Sequence, residues 1–459
     1  MIETILYLSQ AILIYFFILG VWYGLTMLTS IPDVWSSYRE ITYGNLYKLL
    51  EKRSDIPLTV VMPVYNEQDK ILNSVYGVLQ SNYKNVHIII ALDGSTDNTL
   101  NILFNEFDLY EVPPVIKQVI ETQPIRNVYK SKKVKNLTVI YKEHSPTNSG
   151  SDSINCGLNA LTTPIFLTVD ADTILEPNAL TSMLFRFLSD KHTLLVAGCC
   201  YVLNENKVEH GRMLSRNVPR KLTPAFQALE YLRSFTYGRA GLKAFAGVLC
   251  SPGAFTMIET YIVKEAKGYN SKNFAYDTEI TFTMHEITRA KKYPTKILFM
   301  PTAISWTEVP NTLKRFWKQR SLWHRGIFRA VYNYRRMFLN PRYGIVGMLT
   351  FPFYIAFDVV SPIIEFMSYF LFALTLYLNL FELKPFLWLI LLAWAFIVIL
   401  SIFSFYLDLI TGRKYKDFTL SRLIFLVTVE MFGFRQFRAA ACTYGAVNHI
   451  YRRLKGYYL

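Results

Sequence analysis

Residues 5–27 run for 23 positions without one charged side chain, and a helix needs about 20 such residues to cross the hydrocarbon core of a bilayer. Residues 386–407 form a second uncharged run. Segments of that length cannot lie on the surface of a water-soluble fold, so the rest of the chain has to be built beside membrane helices. The 52% hydrophobic content is concentrated at the two ends. No basic segment precedes the first run and no small-residue cleavage site follows it, which marks a retained anchor rather than a signal peptide.

Basic residues border the apolar runs. Arg39, Lys48, Lys52 and Arg53 follow the first, and Arg435, Arg438, Arg452, Arg453 and Lys455 lie near the end of the chain. Positive charge marks the cytoplasmic side, so the intervening region and the C-terminal segment are expected there. Membrane surface and anionic ligands explain the net charge of +15, and no nucleic acid partner is expected. The five cysteines are an odd number without metal-ligand spacing and read as reduced, mostly buried thiols of a cytosolic domain. Residues 311–343 hold nine Lys or Arg and no acid, interleaved with Phe316, Trp317, Trp323, Phe328 and Tyr332. Beside a membrane segment that pattern predicts interfacial amphipathic helices, a solvated charged face being the alternative. Pro352, Asp358, Pro362 and Glu365 interrupt residues 344–380, which predicts an interfacial helix followed by one crossing. Residues 420–433 are apolar but short, and leave open whether they cross.

Between the runs, short apolar strands alternate with polar loops and helices. Strands are expected at residues 58–62, 86–92, 137–141, 165–169, 194–200 and 297–300, with helices after the first two and over residues 153–161. That rhythm implies an α/β domain with a mostly parallel sheet, whose loops collect at the carboxyl edge where ligands bind. The Pro-rich, then Lys-rich residues 107–136 break the rhythm and read as an insertion or surface loop.

Acids gather at that edge. Pro63-Val-Tyr65-Asn-Glu67 ends the first strand, Asp93-Gly-Ser-Thr-Asp97 the second, and Asp170-Ala-Asp172 the strand 165–169; Asp277 and Glu279 open a later helix. An isolated Asp-x-Asp also serves as an Asp-capped turn, and Asp277 alone as an N-cap. Together they suit a hard divalent cation bridging to a diphosphate, with Asp277 placed to take a proton from an attacking hydroxyl. Gln319, Arg320 and Trp323 can bind a phosphate and stack on a sugar or base, or anchor the chain at the membrane surface.

These motifs, in this order and spacing, resemble the membrane-integrated family 2 glycosyltransferases, which include the synthases of hyaluronan, poly-N-acetylglucosamine and cellulose. The likeness covers roughly residues 56–335 and includes Ser305-Trp-Thr-Glu-Val-Pro-Asn-Thr-Leu. It implies a GT-A-type, Rossmann-like domain flanked by transmembrane and interfacial helices. The expected layout is an N-terminal transmembrane helix (1–30), a connector (31–55), a cytosolic catalytic domain (56–310), interfacial helices (311–343) and C-terminal membrane and interfacial helices (344–459). The resemblance implies an inverting transferase that polymerises a UDP-sugar into a β-linked polysaccharide at the cytoplasmic face of the plasma membrane, in a multi-pass protein that exports the chain. Residue by residue, it implies that Pro63, Tyr65, Glu67 and Asp93 hold the nucleotide, Asp170 faces the diphosphate, and Asp172 with Asp170 binds Mg or Mn. Ser251, Gly253 and Phe255 would line the path of the growing polysaccharide acceptor, Asp277 would be the general base, and Gln319, Arg320 and Trp323 would hold the diphosphate and the acceptor end.

Four positions depart from the family pattern. Leu92 replaces the first acid of Asp-Asp-Gly-Ser, the stretch Gly150-Ser-Asp-Ser-Ile-Asn155 lacks a lysine, Tyr276 replaces the acid before Asp277, and Leu322 replaces an arginine. They weigh on processivity more than on transfer, which keeps a second reading open, the transfer of one sugar to a lipid carrier. A non-catalytic polysaccharide-sensing or scaffold subunit is a third, disfavoured by the complete Asp170, Asp172 and Asp277 set. Sugar, linkage and oligomeric state are not encoded in these motifs.

Overall fold

The computed structural model describes residues 2–43, 55–245, 247–380, 383–411 and 415–457; Lys48, Lys52 and Arg53 of the expected connector lie outside them. Twelve strands are formed: β1 (Leu58–Val64), β2 (Val86–Asp93), β3 (Leu109–Val112), β4 (Ile125–Ser131), β5 (Leu137–Lys142), β6 (Ile165–Val169), β7 (Ile174–Leu175), β8 (Thr193–Val202), β9 (Val208–Glu209), β10 (Arg212–Met213), β11 (Phe255–Glu259) and β12 (Lys296–Thr307). Ten make one sheet in the order β3-β4-β5-β2-β1-β6-β11-β8-β12-β7. Strands β5, β2, β1 and β6 are parallel neighbours, and β8 and β12 share their direction across the reversed β11. The sheet is thus mostly parallel, with β4, β11 and β7 running against the rest.

The centre forms where the sequence is richest in Val, Ile and Leu. All five residues of β6 are buried and β1 is buried nearly throughout, as strands covered on both faces must be. Helix Ile71–Leu79 carries the chain from β1 towards β2, and helix Gly150–Ala160 leads into β6. The carboxyl ends of β1, β2 and β6 therefore share one edge.

Residues 107–136 are not a loop throughout, although residues 113–124 carry no helix or strand. They supply β3 and β4, paired antiparallel as the sheet's outer edge. Charges on the outward positions of β4, such as Arg126 and Lys130, mask the strand pattern.

The first helix does not stop at residue 30 but runs from Ile2 to Tyr43, taking in Pro32 and part of the expected connector. Its later turns dock on the α/β domain: buried Asp33 pairs with Arg186 at 2.6 Å and with Lys243 at 2.5 Å. Among the described residues two helices, Glu3–Arg39 and Phe386–Ile410, are long and apolar enough to cross a membrane, and the pair Val346–Val359 and Ser361–Tyr377, bent by 41°, meets the same length and composition only when taken as one broken span. Helix Leu420–Val429, at about 1.5 Å per residue, is too short to cross and ends at a break where Gly433 takes φ 109°.

The Lys- and Arg-rich segment folds as one main helix, Leu313–Asn333, wedged between helix Tyr276–Ala290 and helix Arg435–Leu454. Glycines permit the crossings: a Cβ on Gly326 would meet the Ala275 nitrogen at 2.6 Å, and one on Gly445 would overlap the Ser321 carbonyl.

Candidate active site

At the end of β6 the Thr173 amide donates to the Asp170 carbonyl (3.0 Å), closing a turn that sets Asp170 and Asp172 side by side. Thr307, at the end of β12, donates its hydroxyl to Asp172 Oδ1 at 3.2 Å. Among the described residues the Asp170 carboxylate has no hydrogen-bond or ion-pair partner. Burial, then the charges of Asp172, Asp277 and Glu67, push its pKa up to about 8. Burial also raises Asp172, with Lys70 and the Thr307 hydroxyl opposing and Glu308 adding to the shift. Lys70 bridges Glu308 (3.0 Å) and Glu67 (3.5 Å), and burial raises Glu67 against that pairing.

Asp277 lies in the first turn of helix Tyr276–Ala290. Its Oδ2 accepts the Gly253 amide at 3.1 Å and its Oδ1 the Thr278 amide at 2.8 Å. Burial lifts its pKa above the usual carboxylate range, while those two amides and the Arg239 guanidinium hold it back. Gly253 thus orients Asp277. Ser251 is buried, with its hydroxyl 3.2 Å from both the Asp277 carbonyl and the Thr281 hydroxyl, so it braces the same helix. Phe255, expected on the acceptor path, is fully buried, its ring filling the space left by the absent side chain of Gly198.

Asp93 lies at the end of β2 and is buried against Lys142, the Ser145 amide (2.9 Å) and His144 (3.1 Å). Lys142 is itself fully buried and also pairs with Asp152 at 2.6 Å. Half-exposed Tyr65 stacks on His144 with ring centroids 4.4 Å apart. Pro63, in the last residues of β1 before the loop that carries Tyr65, lies close to Gly150, and Asp97 accepts from the Gln68 amide at 3.2 Å, tying the β1 and β2 loops together.

Arg320, expected to hold the diphosphate, is engaged within the protein. It is buried, pairs with Glu230 at 2.9 Å, and packs its guanidinium over Phe316 and Trp323. Gln319 Oε1 is buried with no hydrogen-bond partner among the described residues. Trp323 remains 37% exposed. Glu279 is a brace, accepting from Asn270, Asn273 and Asn333.

Lys142, Lys70, Glu308 and Arg239 are the residues that motif reading missed. Only Glu308 carried a signal, since it falls within the Ser305-Trp-Thr-Glu stretch. Among the described residues no three His, Cys, Asp or Glu side chains are set as a metal cage. The unpartnered Asp170 carboxylate beside Asp172 nevertheless fits a divalent cation completed by phosphate oxygens, since mutual repulsion is what such an ion relieves.

Residues 59–259 match Glycosyl transferase family 2, and residues 165–406 match Glycosyl transferase family group 2. The chain is 26% identical over 285 residues to the probable glycosyltransferase YdaM of Bacillus subtilis, covering 61% of this chain and 58% of that protein. It is 24% identical over 294 residues to the poly-beta-1,6-N-acetyl-D-glucosamine synthase of Staphylococcus aureus, covering 63% and 59%. The chain therefore spans less than two thirds of these relatives. Among solved structures, the mannosyltransferase PcManGT of Pyrobaculum calidifontis, in complex with GDP-Man and Mn2+, aligns over 93% of this chain and 99% of its own at 12% identity and a TM-score of 0.47. The group match takes in more than half of the 459 residues, and the protein belongs to the group 2 glycosyltransferases, with a GT-A-like α/β catalytic domain.

Proposed function

We propose that the protein is an inverting transferase that extends a β-linked polysaccharide from a UDP-sugar at the cytoplasmic face of the plasma membrane, and exports the chain through a multi-pass membrane region. The observation that carries this reading is the convergence of three carboxylates from two elements, with Asp172 and Asp277 close enough to Asp170 that their charges raise its pKa. Asp277 takes the proton from the acceptor hydroxyl. Burial makes it a stronger base than an ordinary carboxylate, and the Gly253 amide fixes its direction. The acceptor oxygen attacks the anomeric carbon as the bond to the diphosphate oxygen breaks, and UDP leaves. Asp170 and Asp172 would hold Mg or Mn, which would supply charge neutralisation for that leaving diphosphate. The stacked Tyr65 and His144, beside Asp93, form the platform for the nucleotide base.

The polymer reading is supported by Trp323, half-exposed on a helix packed against both the catalytic domain and the C-terminal helices, where a sugar can stack. The Staphylococcus relative, named as a polymer synthase, makes UDP-N-acetylglucosamine the first donor to try. One observation favours transfer to a lipid carrier instead: Arg320 is engaged by Glu230 rather than presented to a diphosphate.

The test offers UDP-glucose, UDP-N-acetylglucosamine and UDP-glucuronate, singly and in pairs, to the detergent-purified protein with Mn or Mg, following UDP release and product size. A high-molecular-mass product is expected. A lipid-linked monosaccharide would transfer the case to the second reading, and no UDP release with any donor would overturn both. Asp277→Asn should abolish transfer while sparing UDP binding, and Asp172→Ala should weaken metal-dependent UDP binding; the reverse pattern would refute the two assignments.

A further inference from the structure

Tyr276 is the one departure from the family pattern that lands in the middle of the site. Its ring is the first of helix Tyr276–Ala290 and packs edge-on against buried Tyr269, centroids 5.9 Å apart. Tyr269 is in turn locked by Asn155, whose side chain accepts from its amide at 2.7 Å and donates to its carbonyl at 2.8 Å. The ring is therefore held from one side, and its hydroxyl is carried to a defined point. A Cβ on Gly150 would lie 3.2 Å from that hydroxyl and 3.6 Å from Pro63 Cβ. A Cβ on Gly253 would lie 3.6 Å from the hydroxyl and 3.5 Å from Asp277 Oδ2. Two glycines thus leave room for one phenol between the β1 loop, the start of helix Gly150–Ala160 and the base.

Among the described residues that hydroxyl has no hydrogen-bond partner. A polar group brought by a fixed ring to the meeting point of three site elements, and left unpaired there, is aimed at something that arrives. Its position beside Gly150 also joins two departures: the segment that lacks the family's lysine is the one the phenol faces. We infer that the Tyr276 hydroxyl is a donor-binding group of the transferase, donating a hydrogen bond to the diphosphate of the nucleotide sugar. Burial and the charges of Asp170 and Asp277 hold the phenol firmly protonated, so it donates at any working pH. A neutral donor also suits this place, because no acid at position 276 adds to the negative charge already carried by Asp170, Asp172 and Asp277.

The inference rests on reading the Asp170 edge as the donor site, and the experiment separates the two. The full-length protein in detergent is titrated with UDP and with UDP-N-acetylglucosamine in the presence of Mn2+, as wild type, Tyr276→Phe and Gly150→Ala. Phe keeps the ring on Tyr269, so the melting temperature should not move. Loss of one hydrogen bond to a charged group should weaken UDP and UDP-sugar together, roughly ten- to a hundredfold. Gly150→Ala, whose methyl crowds the hydroxyl from its phosphate, should act in the same direction. Weakening of the UDP-sugar alone would place the hydroxyl on the sugar and overturn the diphosphate assignment. Unchanged binding by Tyr276→Phe would overturn the inference while leaving the donor site intact. Failure of the wild type to bind UDP would overturn both.

Discussion

Replacing Lys142 by methionine tests whether the nucleotide side of the site is held together by one buried cation. The lysine has no exposed surface, Asp93 keeps 5% and Asp152 keeps 3% of theirs. Its ammonium touches both carboxylates, at 2.6 Å in the case of Asp152. Methionine conserves the aliphatic volume but leaves two carboxylates in a dry place with a few amide and imidazole contacts. Breaking a buried pair by removing one partner costs about 3–5 kcal/mol. For a catalytic domain of this size each kcal/mol lowers the melting temperature by about 2–4 °C, so a fall of roughly 6–20 °C is expected. Thermal unfolding of the detergent-solubilised protein, followed by near-ultraviolet circular dichroism, reads it directly. Adding Asp93→Asn and Asp152→Asn removes the stranded charges and should recover the greater part. A drop under about 4 °C for the single variant, or no recovery in the triple, would refute the reasoning.

Phe255→Ala should cost about 3–5 kcal/mol of stability through the cavity it opens against Gly198, with the acceptor KM of the folded protein unchanged; a raised acceptor KM at an unaltered melting temperature would return Phe255 to the acceptor path. Burial depresses His285 to about 3 and His324 to about 4. The unfolded chain therefore binds protons that the native state refuses below about pH 6.5, and stability falls with acidity by about 1.4 kcal/mol per histidine per pH unit. Melting temperatures at about pH 7 and 5.5 should show this, and a His285→Gln, His324→Gln pair that keeps the wild-type slope would count against it. Trp323→Ala should shorten the product while UDP turnover persists; unchanged product length would remove the tryptophan from the acceptor platform.

What the sequence revealed depended on whether the signal was local. Strand 165–169 and its two carboxylates were legible because four apolar residues and one threonine, bounded by Pro164 and Asp170, carry strand, burial and ligand edge in one stretch. The β3–β4 edge was not, since exposed lysines and arginines replace alternation where one strand face meets water. Ser251, Gly253 and Phe255 were expected to form one lining on the resemblance alone. A turn closed by the Phe255 amide on the Pro252 carbonyl (3.2 Å) separates them, so that only Phe255 enters the sheet. Lys142 is paired with residues 49 and 10 positions away, and nothing in the motif around either announces the partner.

The residues that left the expected site explain how the site is attached to the rest of the molecule. Glu279, in the same first helical turn as Asp277, is caged by three asparagines, and the third, Asn333, ends helix Leu313–Asn333 at 3.0 Å. Twelve or so residues earlier Arg320 holds Glu230, which Arg438 of helix Arg435–Leu454 also approaches at 3.6 Å. Ser321 donates to the Ala441 carbonyl at 3.0 Å, at the glycine crossing that admits no side chain. A helix tied at one end to the base-bearing helix and along its middle to the C-terminal segment cannot shift without straining buried polar groups, each costly to leave unpaired. The basic, aromatic stretch that reads as a membrane-surface helix is thus also the splint that fixes Asp277 relative to the membrane segments. Under the proposed function, an acceptor bound against those segments would thereby be positioned against Asp277 as its base.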